Sequence, residues 1–151
     1  MDLFAELAAV ARALEARGVD HAFCGAVALA VHGLPRATRD LDVVARPSQL
    51  DAVRAAATDA GFTIEALPIQ FASSGVELRR FSKFAGREHL ILDVLLAQGP
   101  LAGVLDDAER LPWDEGHLRV VSRSTLIRMK LAAGRPQDLA DIARLKENDD
   151  G

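Results

Sequence analysis

The stretch "RATRDLDVVA", residues 36–45, sets Asp40 and Asp42 one residue apart in a run that otherwise alternates like a strand. Residues two apart on a strand point to the same face, with Cα atoms roughly 6.5 Å apart. The two carboxylates therefore share a face, and Leu41 and Val43 enter the core on the other. Burying two like charges is costly, so either the pair faces solvent or positive charge sits beside them. Arg36 and Arg39, just upstream, could supply it as salt bridges. Divalent cations could supply it too. Carboxylates at this spacing reach metal ions roughly 3.5–4 Å apart, the separation used for in-line phosphoryl or nucleotidyl transfer. A third carboxylate would complete such a site, and Asp93 is the one polar residue of the apolar run "LILDVLL". Taken together, three strand carboxylates favour the metal reading over separate salt bridges.

Phosphate chemistry needs a place for the phosphates. Gly25 ends the apolar run "HAFCG" and directly precedes the Ala-rich "AVALAVHG". At such a strand–helix turn, free backbone N–H groups can face an anion, and a glycine lets the backbone come close. Two other uses of an Asp-x-Asp step fit less well. A dehalogenase-type phosphatase places its first Asp after an unbroken apolar strand, whereas "RATR" precedes Asp40. Glycosyltransferases that use the step for a metal are normally much longer chains.

The elements that would position these groups follow from periodicity. Leu3, Leu7, Val10 and Leu14 recur at helical spacing and Gly18 follows as a stop, so residues 2–17 read as an amphipathic helix. "HAFCG" and "RDLDVVA" read as strands around the short helix "AVALAVHG". A helix runs from Pro47 or Ser48 to about Ala60, and "FTIEAL" is a strand candidate. "VELRRFSKF" and "HLILDVLLA", joined by "AGRE", form an antiparallel hairpin. "LAGVLDDAERL" is expected as a short helix and "HLRVVS" as a strand. Ser122 or Ser124 caps "TLIRMKLAAG", and Pro136 opens a last helix, "PQDLADIARLKE". The acidic tail "KENDDG" is expected to fray. The fold class is α+β, a mixed or antiparallel sheet flanked by helices, with a short helical C-terminus. A core at 1–121 would carry two C-terminal helices, 122–151, packed on the same domain.

Composition narrows the partners. The chain has 151 residues, half of them hydrophobic, enough for one sizeable core. Six Phe, one Trp and no Tyr supply a poor stacking platform for single-stranded nucleic acid. The net charge of −4 excludes polyanion binding by bulk charge, although "RRFSKFAGR", residues 79–87, is a local basic run. That run reads equally as a phosphate-binding patch or a charged strand edge. Cys24 is the only cysteine, so an internal disulfide is excluded, and a small buried residue is the expected role. His32 and His89 have no second ligand at metal spacing and read as structural. No apolar run is long enough to span a bilayer, which points to a cytoplasmic protein.

With these residues in view, "FCGAVALAVHGLPRATRDLDVV", residues 23–44, resembles the polymerase-β-like nucleotidyltransferases. More narrowly it is similar to the AbiEii-type toxins of type IV toxin–antitoxin systems, which carry "G-L-P-R-A-T-x-D-[IL]-D" here. The likeness extends to "LIRMKLAAGRPQDLADIARL", where a helix lysine precedes an Arg-x-Lys-Asp-x-x-Asp step. The resemblance implies that Gly25 and Ala26 hold the nucleotide phosphates and that Asp40 and Asp42 bind two Mg²⁺ ions. Asp93 would complete the metal site and help activate the acceptor hydroxyl. Lys130 would contact the triphosphate, with Arg135 and Asp138 in the last motif. Ala26 stands where the superfamily has Gly or Ser, and Gln137 where it has Lys.

Bland roles compete on the helices. Lys130 could snorkel to water, Asp138 could serve the helix dipole, and Asp141 with Arg144 could be a surface pair. Arg39 could bind phosphates or pair with Asp40. The expectation is a metal-dependent transfer of a nucleoside monophosphate from an NTP to a hydroxyl on an RNA end, tRNA included, or on a protein. The partner would be a cognate antitoxin or toxin, with no membrane involved. The alternative is a catalytically weak or inactive antitoxin or partner-binding module built on the same fold.

Overall fold

A computed structural model describes residues 1–113 and 116–149. Helix α1 (Leu3–Ala16) starts at Asp2, whose side chain accepts from Phe4 N–H, and buries Leu7, Val10, Ala11 and Leu14. This is the stripe that the spacing predicts. Strand β1 (His21–Cys24) runs straight into helix α2 (Gly25–Val31). Strand β2 (Asp40–Ala45) follows, then a 3₁₀ turn at Pro47–Gln49 and helix α3 (Leu50–Asp59). Two short strands, β3 (Ile64–Glu65) and β4 (Ile69–Gln70), precede the long pair β5 (Glu77–Ala85) and β6 (Glu88–Leu96). Strands β7 (Glu109–Trp113) and β8 (Gly116–Val120) lead to helices α4 (Arg123–Ala133) and α5 (Pro136–Asp149).

The strands make one mixed sheet in the order β3-β5-β6-β2-β1-β8-β7, with β4 also on β5. Pairings β1/β2, β5/β6 and β7/β8 are antiparallel, and β2/β6 and β1/β8 are parallel. The α+β class and the mixed sheet are therefore as expected. Alternation divides the core between the two faces. Leu41, Val43 and Ala45 of β2 join Leu92 and Val94 of β6 in a cluster with α1 and α3. Val44 and Cys24 join a second cluster with Leu29, Leu126 and Leu145, so α2, α4 and α5 cover the opposite face. Asp40 and Asp42 belong by alternation to that second face. No helix among the described residues is long and apolar enough to cross a membrane.

Two expectations need correction, and a third lies partly outside the described residues. "LAGVLDDAERL" is not a helix. After a 3₁₀ turn at Gly99–Leu101 the chain proceeds through turns, and Glu109–Trp113 is an edge strand. Leu101, Val104 and Leu105 do fall at helical spacing, but a turn suffices to bury all three in the second cluster. Pro112, which lacks a ladder donor, suits an edge strand. "FTIEAL" is extended only at Ile64–Glu65, where both residues stay exposed and nothing favours a longer pairing. The end of the tail "KENDDG" lies outside the described residues, and helix α5 continues to Asp149.

Candidate active site

The site begins at the β1–α2 turn. Cys24 stands opposite Asp42 in the antiparallel β1/β2 register. The next residue, Gly25, has φ +57°, in the left-handed region. A Cβ on Gly25 would lie 2.2 Å from Asp42 Oδ2 and 2.9 Å from its Cγ. Both the backbone angle and the space admit glycine alone. The turn is thus pressed directly against the second carboxylate, with Ala26 beside it, half-buried on the first turn of α2.

Across the parallel β2/β6 pairing, Asp42 is in register with Asp93, and Asp40 with Ile91. Asp42 and Asp93 therefore sit at one level of adjacent strands, with Asp40 exposed two residues back on the same face. Burial first, then the neighbouring Asp93 and Asp40, push the Asp42 carboxyl up to about 6. Arg80 and Lys130 offset this in part. No described side chain donates a hydrogen bond to the Asp42 carboxylate, so its negative charge is poorly matched. Cys24, buried next to it, has its thiol raised well above the usual range by burial and by the charges of Asp42 and Asp93.

Asp93 is differently served. Arg80 on β5, its register partner, donates from Nε to Oδ1 at 2.8 Å and from Nη2 to Oδ2 at 3.0 Å. Hydrogen bonding to Asp93 and its charge raise the Arg80 pKa. Sequence reading missed this pair. The signal was present, because a hairpin centred on the "AGRE" turn already places residue 80 opposite residue 93. Two other cations of the basic run are occupied internally, while Arg87 is exposed: Lys83 Nζ lies 2.8 Å from Glu6 Oε2 and donates to the Ala60 carbonyl. Arg79 lies 3.9 Å from Glu77.

On the helices, Lys130 is not a surface lysine. It is buried, with Nζ 2.9 Å from Asp141 Oδ2 and 3.5 Å from Asp138 Oδ1. Asp141 is buried too and takes Arg36 Nη2 at 2.5 Å, so the expected surface pair with Arg144 is wrong. The reason is packing: α5 lays Asp141 between α4 and the loop that precedes β2. Burial raises the Asp141 carboxyl, but hydrogen bonds from Arg36 and Lys130 outweigh it and leave it below its ordinary value. Asp138 accepts from the Arg135 backbone N–H and from its guanidinium, which hold it low. The charge of Lys130 is felt at both Asp42 and Cys24, which ties this network to the strand carboxylates.

Neither Arg36 nor Arg39 pairs with Asp40, so the salt-bridge alternative for the two aspartates does not hold. Arg36 is committed to Asp141. Arg39 instead lines a cavity of about 500 Å³ with Thr38, Glu88, His89 and Leu90. Arg135 is largely exposed beyond Asp138.

The sequence leads to the expectation of divalent cations here, and the residues present can be weighed against them. Asp42 and Asp93 lie level on neighbouring strands, Asp40 faces the same way, and the charges of Arg80 and Lys130 only partly offset what raises Asp42. Hard oxygen donors of this kind suit Mg²⁺. Among the described residues no three acid, imidazole or thiol groups are gathered tightly enough to enclose an ion as they stand. The Arg80 guanidinium occupies the oxygens of Asp93. The donor chemistry suits a divalent cation, with one of its members held by a side chain.

Known proteins share this arrangement of elements. The structure of ANT(2'')-Ia in complex with adenylyl-2''-tobramycin superposes with a TM-score of 0.65 at 14% identity, covering 100% of this chain and 91% of that one. Lincomycin-bound LnuA, a lincosamide antibiotic adenylyltransferase, gives 0.63 at 16% identity, over 94% of this chain and 95% of that one. JHP933 from Helicobacter pylori gives 0.56 at 19% identity, covering 95% of this chain and 64% of that one. At such identities the likeness concerns the fold. No curated protein matches the chain. A family model described as nucleotidyl transferase AbiEii toxin, type IV toxin–antitoxin system, matches residues 8–151. The chain belongs to the AbiEii family and is a nucleotidyltransferase of polymerase-β-like fold, in a toxin–antitoxin context.

Proposed function

We propose that the protein transfers a nucleoside monophosphate from an NTP to a hydroxyl, in a reaction that depends on Mg²⁺ and releases pyrophosphate. The observation that supports this most is the register of Asp42 with Asp93 beside a turn that only glycine can make. The Gly25–Ala26 turn would receive the triphosphate, since its backbone reaches the carboxylates with no side chain between. Asp40, Asp42 and Asp93 would hold two Mg²⁺ ions, which when bound lower the pKa of the acceptor hydroxyl and neutralise the departing pyrophosphate.

In this reading the acceptor oxygen attacks the α-phosphorus, the bond to the β-phosphate oxygen breaks, and Asp93 helps remove the hydroxyl proton. Lys130, kept at Asp138 and Asp141, would offer a fixed positive charge to the phosphates. Arg135 and Asp138 would orient that lysine. Arg39, turned to its own cavity, would serve the nucleotide only through its long-range charge. The acceptor would be an RNA end or a protein hydroxyl, the cellular partner a cognate antitoxin, and the compartment the cytoplasm.

Incubation with each labelled NTP, Mg²⁺ and total RNA or lysate tests this directly. Label should enter one RNA or protein band with the wild type and none with Asp42→Ala. Label-free bands in both, together with no Mg²⁺-dependent NTP binding by calorimetry, would refute it.

A further inference from the structure

The third carboxylate of the site already has a cation. Both oxygens of Asp93 are taken by the Arg80 guanidinium, which reaches across from β5 as a planar fork. Asp93 is one-tenth exposed, while the Arg80 side chain is 39% exposed. Among the described residues the Arg80 guanidinium has no hydrogen-bonded partner besides Asp93, and the charges of Asp40 and Asp42 also act on it. A guanidinium cannot leave such a site by losing its proton. It leaves only by exchange for another cation, and its fork suits a phosphate as well as a carboxylate.

We propose that Arg80 holds Asp93 in the absence of nucleotide and yields it as divalent cation and NTP arrive together. This rests on the function proposed above. A divalent cation alone meets a like charge already bound at Asp93, and must displace it with nothing to receive it. The same cation arriving with a triphosphate brings Arg80 a replacement anion, so the guanidinium moves from Asp93 to phosphate. Metal and nucleotide are thereby coupled: each raises the affinity of the other. The two strands that carry Asp93 and Arg80 are rigid partners of one hairpin, which leaves the side chain as the moving part.

Calorimetric titration of Mn²⁺, first without nucleotide and then with a non-hydrolysable NTP analogue, tests the coupling on the wild type, Arg80→Met and Arg80→Lys. The wild type should bind Mn²⁺ weakly alone and markedly better with the analogue. Arg80→Met should bind Mn²⁺ alone about tenfold tighter and lose most of the gain from the analogue, with Arg80→Lys between the two. Its KM for NTP should rise more than its kcat falls. Mn²⁺ binding by Arg80→Met that is no tighter than wild type, with an unchanged melting temperature, overturns the proposal. Should Arg80→Met fail to fold, Arg80→Lys and Arg80→Gln are judged on the same criterion. A wild type that binds no Mn²⁺–NTP in an Asp42-dependent manner overturns both this inference and the proposed function. Normal Mn²⁺–NTP binding with an unaltered Arg80→Met profile sinks the role of Arg80 alone.

Discussion

Replacing Asp42 by asparagine should make the protein more stable at neutral pH while abolishing its activity. Asp42 is held at about 6 instead of 3.8 by burial and by Asp93 and Asp40. Such an elevation makes its ionised form about 3 kcal/mol costlier in the folded chain than in the unfolded one. Because the folded value is the higher one, stability associated with this group is intact below pH about 4. It is lost progressively as pH rises to about 6 and stays lost above. Asparagine keeps the shape and removes the charge, so it should recover about 1–3 kcal/mol at pH 7.5 and nothing at pH 3.5. In a domain of this size that is a rise of about 2–10 °C in melting temperature. Urea unfolding of both proteins at the two pH values, without divalent cations, measures it. Excess Mg²⁺ with an NTP analogue should then stabilise the wild type and leave Asp42→Asn unmoved. An Asn variant that is equally or less stable at pH 7.5, or whose advantage persists at pH 3.5, refutes the claim that Asp42 is a charge in want of a cation.

Gly25→Ala should destabilise the fold by more than about 2 kcal/mol, since a Cβ both strains the left-handed backbone and strikes Asp42. Combining it with Asp42→Ala should return part of that loss in a double-mutant cycle, and strict additivity would count against the contact. Asp141→Asn should cost about 2–4 kcal/mol by leaving Lys130 and Arg36 short of their shared anion, as read by urea unfolding. Cys24 should resist alkylation in the native protein at pH 8 and react fully in denaturant, because its thiol is buried and its pKa raised. Rapid labelling of the folded chain would show the β1–α2 turn to be open.

Some of the site was legible without coordinates. Strict alternation in "RDLDVVA" put Asp40 and Asp42 on one face, and β2 obeys it. The isolated charge in "LILDVLL" marked Asp93, and the hairpin that contains it formed with the register its turn implies. Other contacts could not be read locally. Arg36 lies 105 residues from Asp141 along the chain and meets it only because α5 folds back over the β2 approach. Lys130 has the local look of a surface lysine between Met129 and Leu131, yet α5 closes over it. The turns after Leu101 show the reverse failure: helical spacing was present, but apolar burial was satisfied without a helix.

The sequence by itself determined which residue types could do chemistry and which face of each strand they occupy, because side-chain direction on a strand depends only on local backbone geometry. Only the tertiary structure decided which charges meet. It set Asp42 level with Asp93, gave Asp93 to Arg80 instead of leaving it free, and enclosed Lys130 between two aspartates. Electrostatic pairing depends on distances between elements far apart in the chain and on how much water their packing excludes. Neither quantity is written in any short stretch of residues.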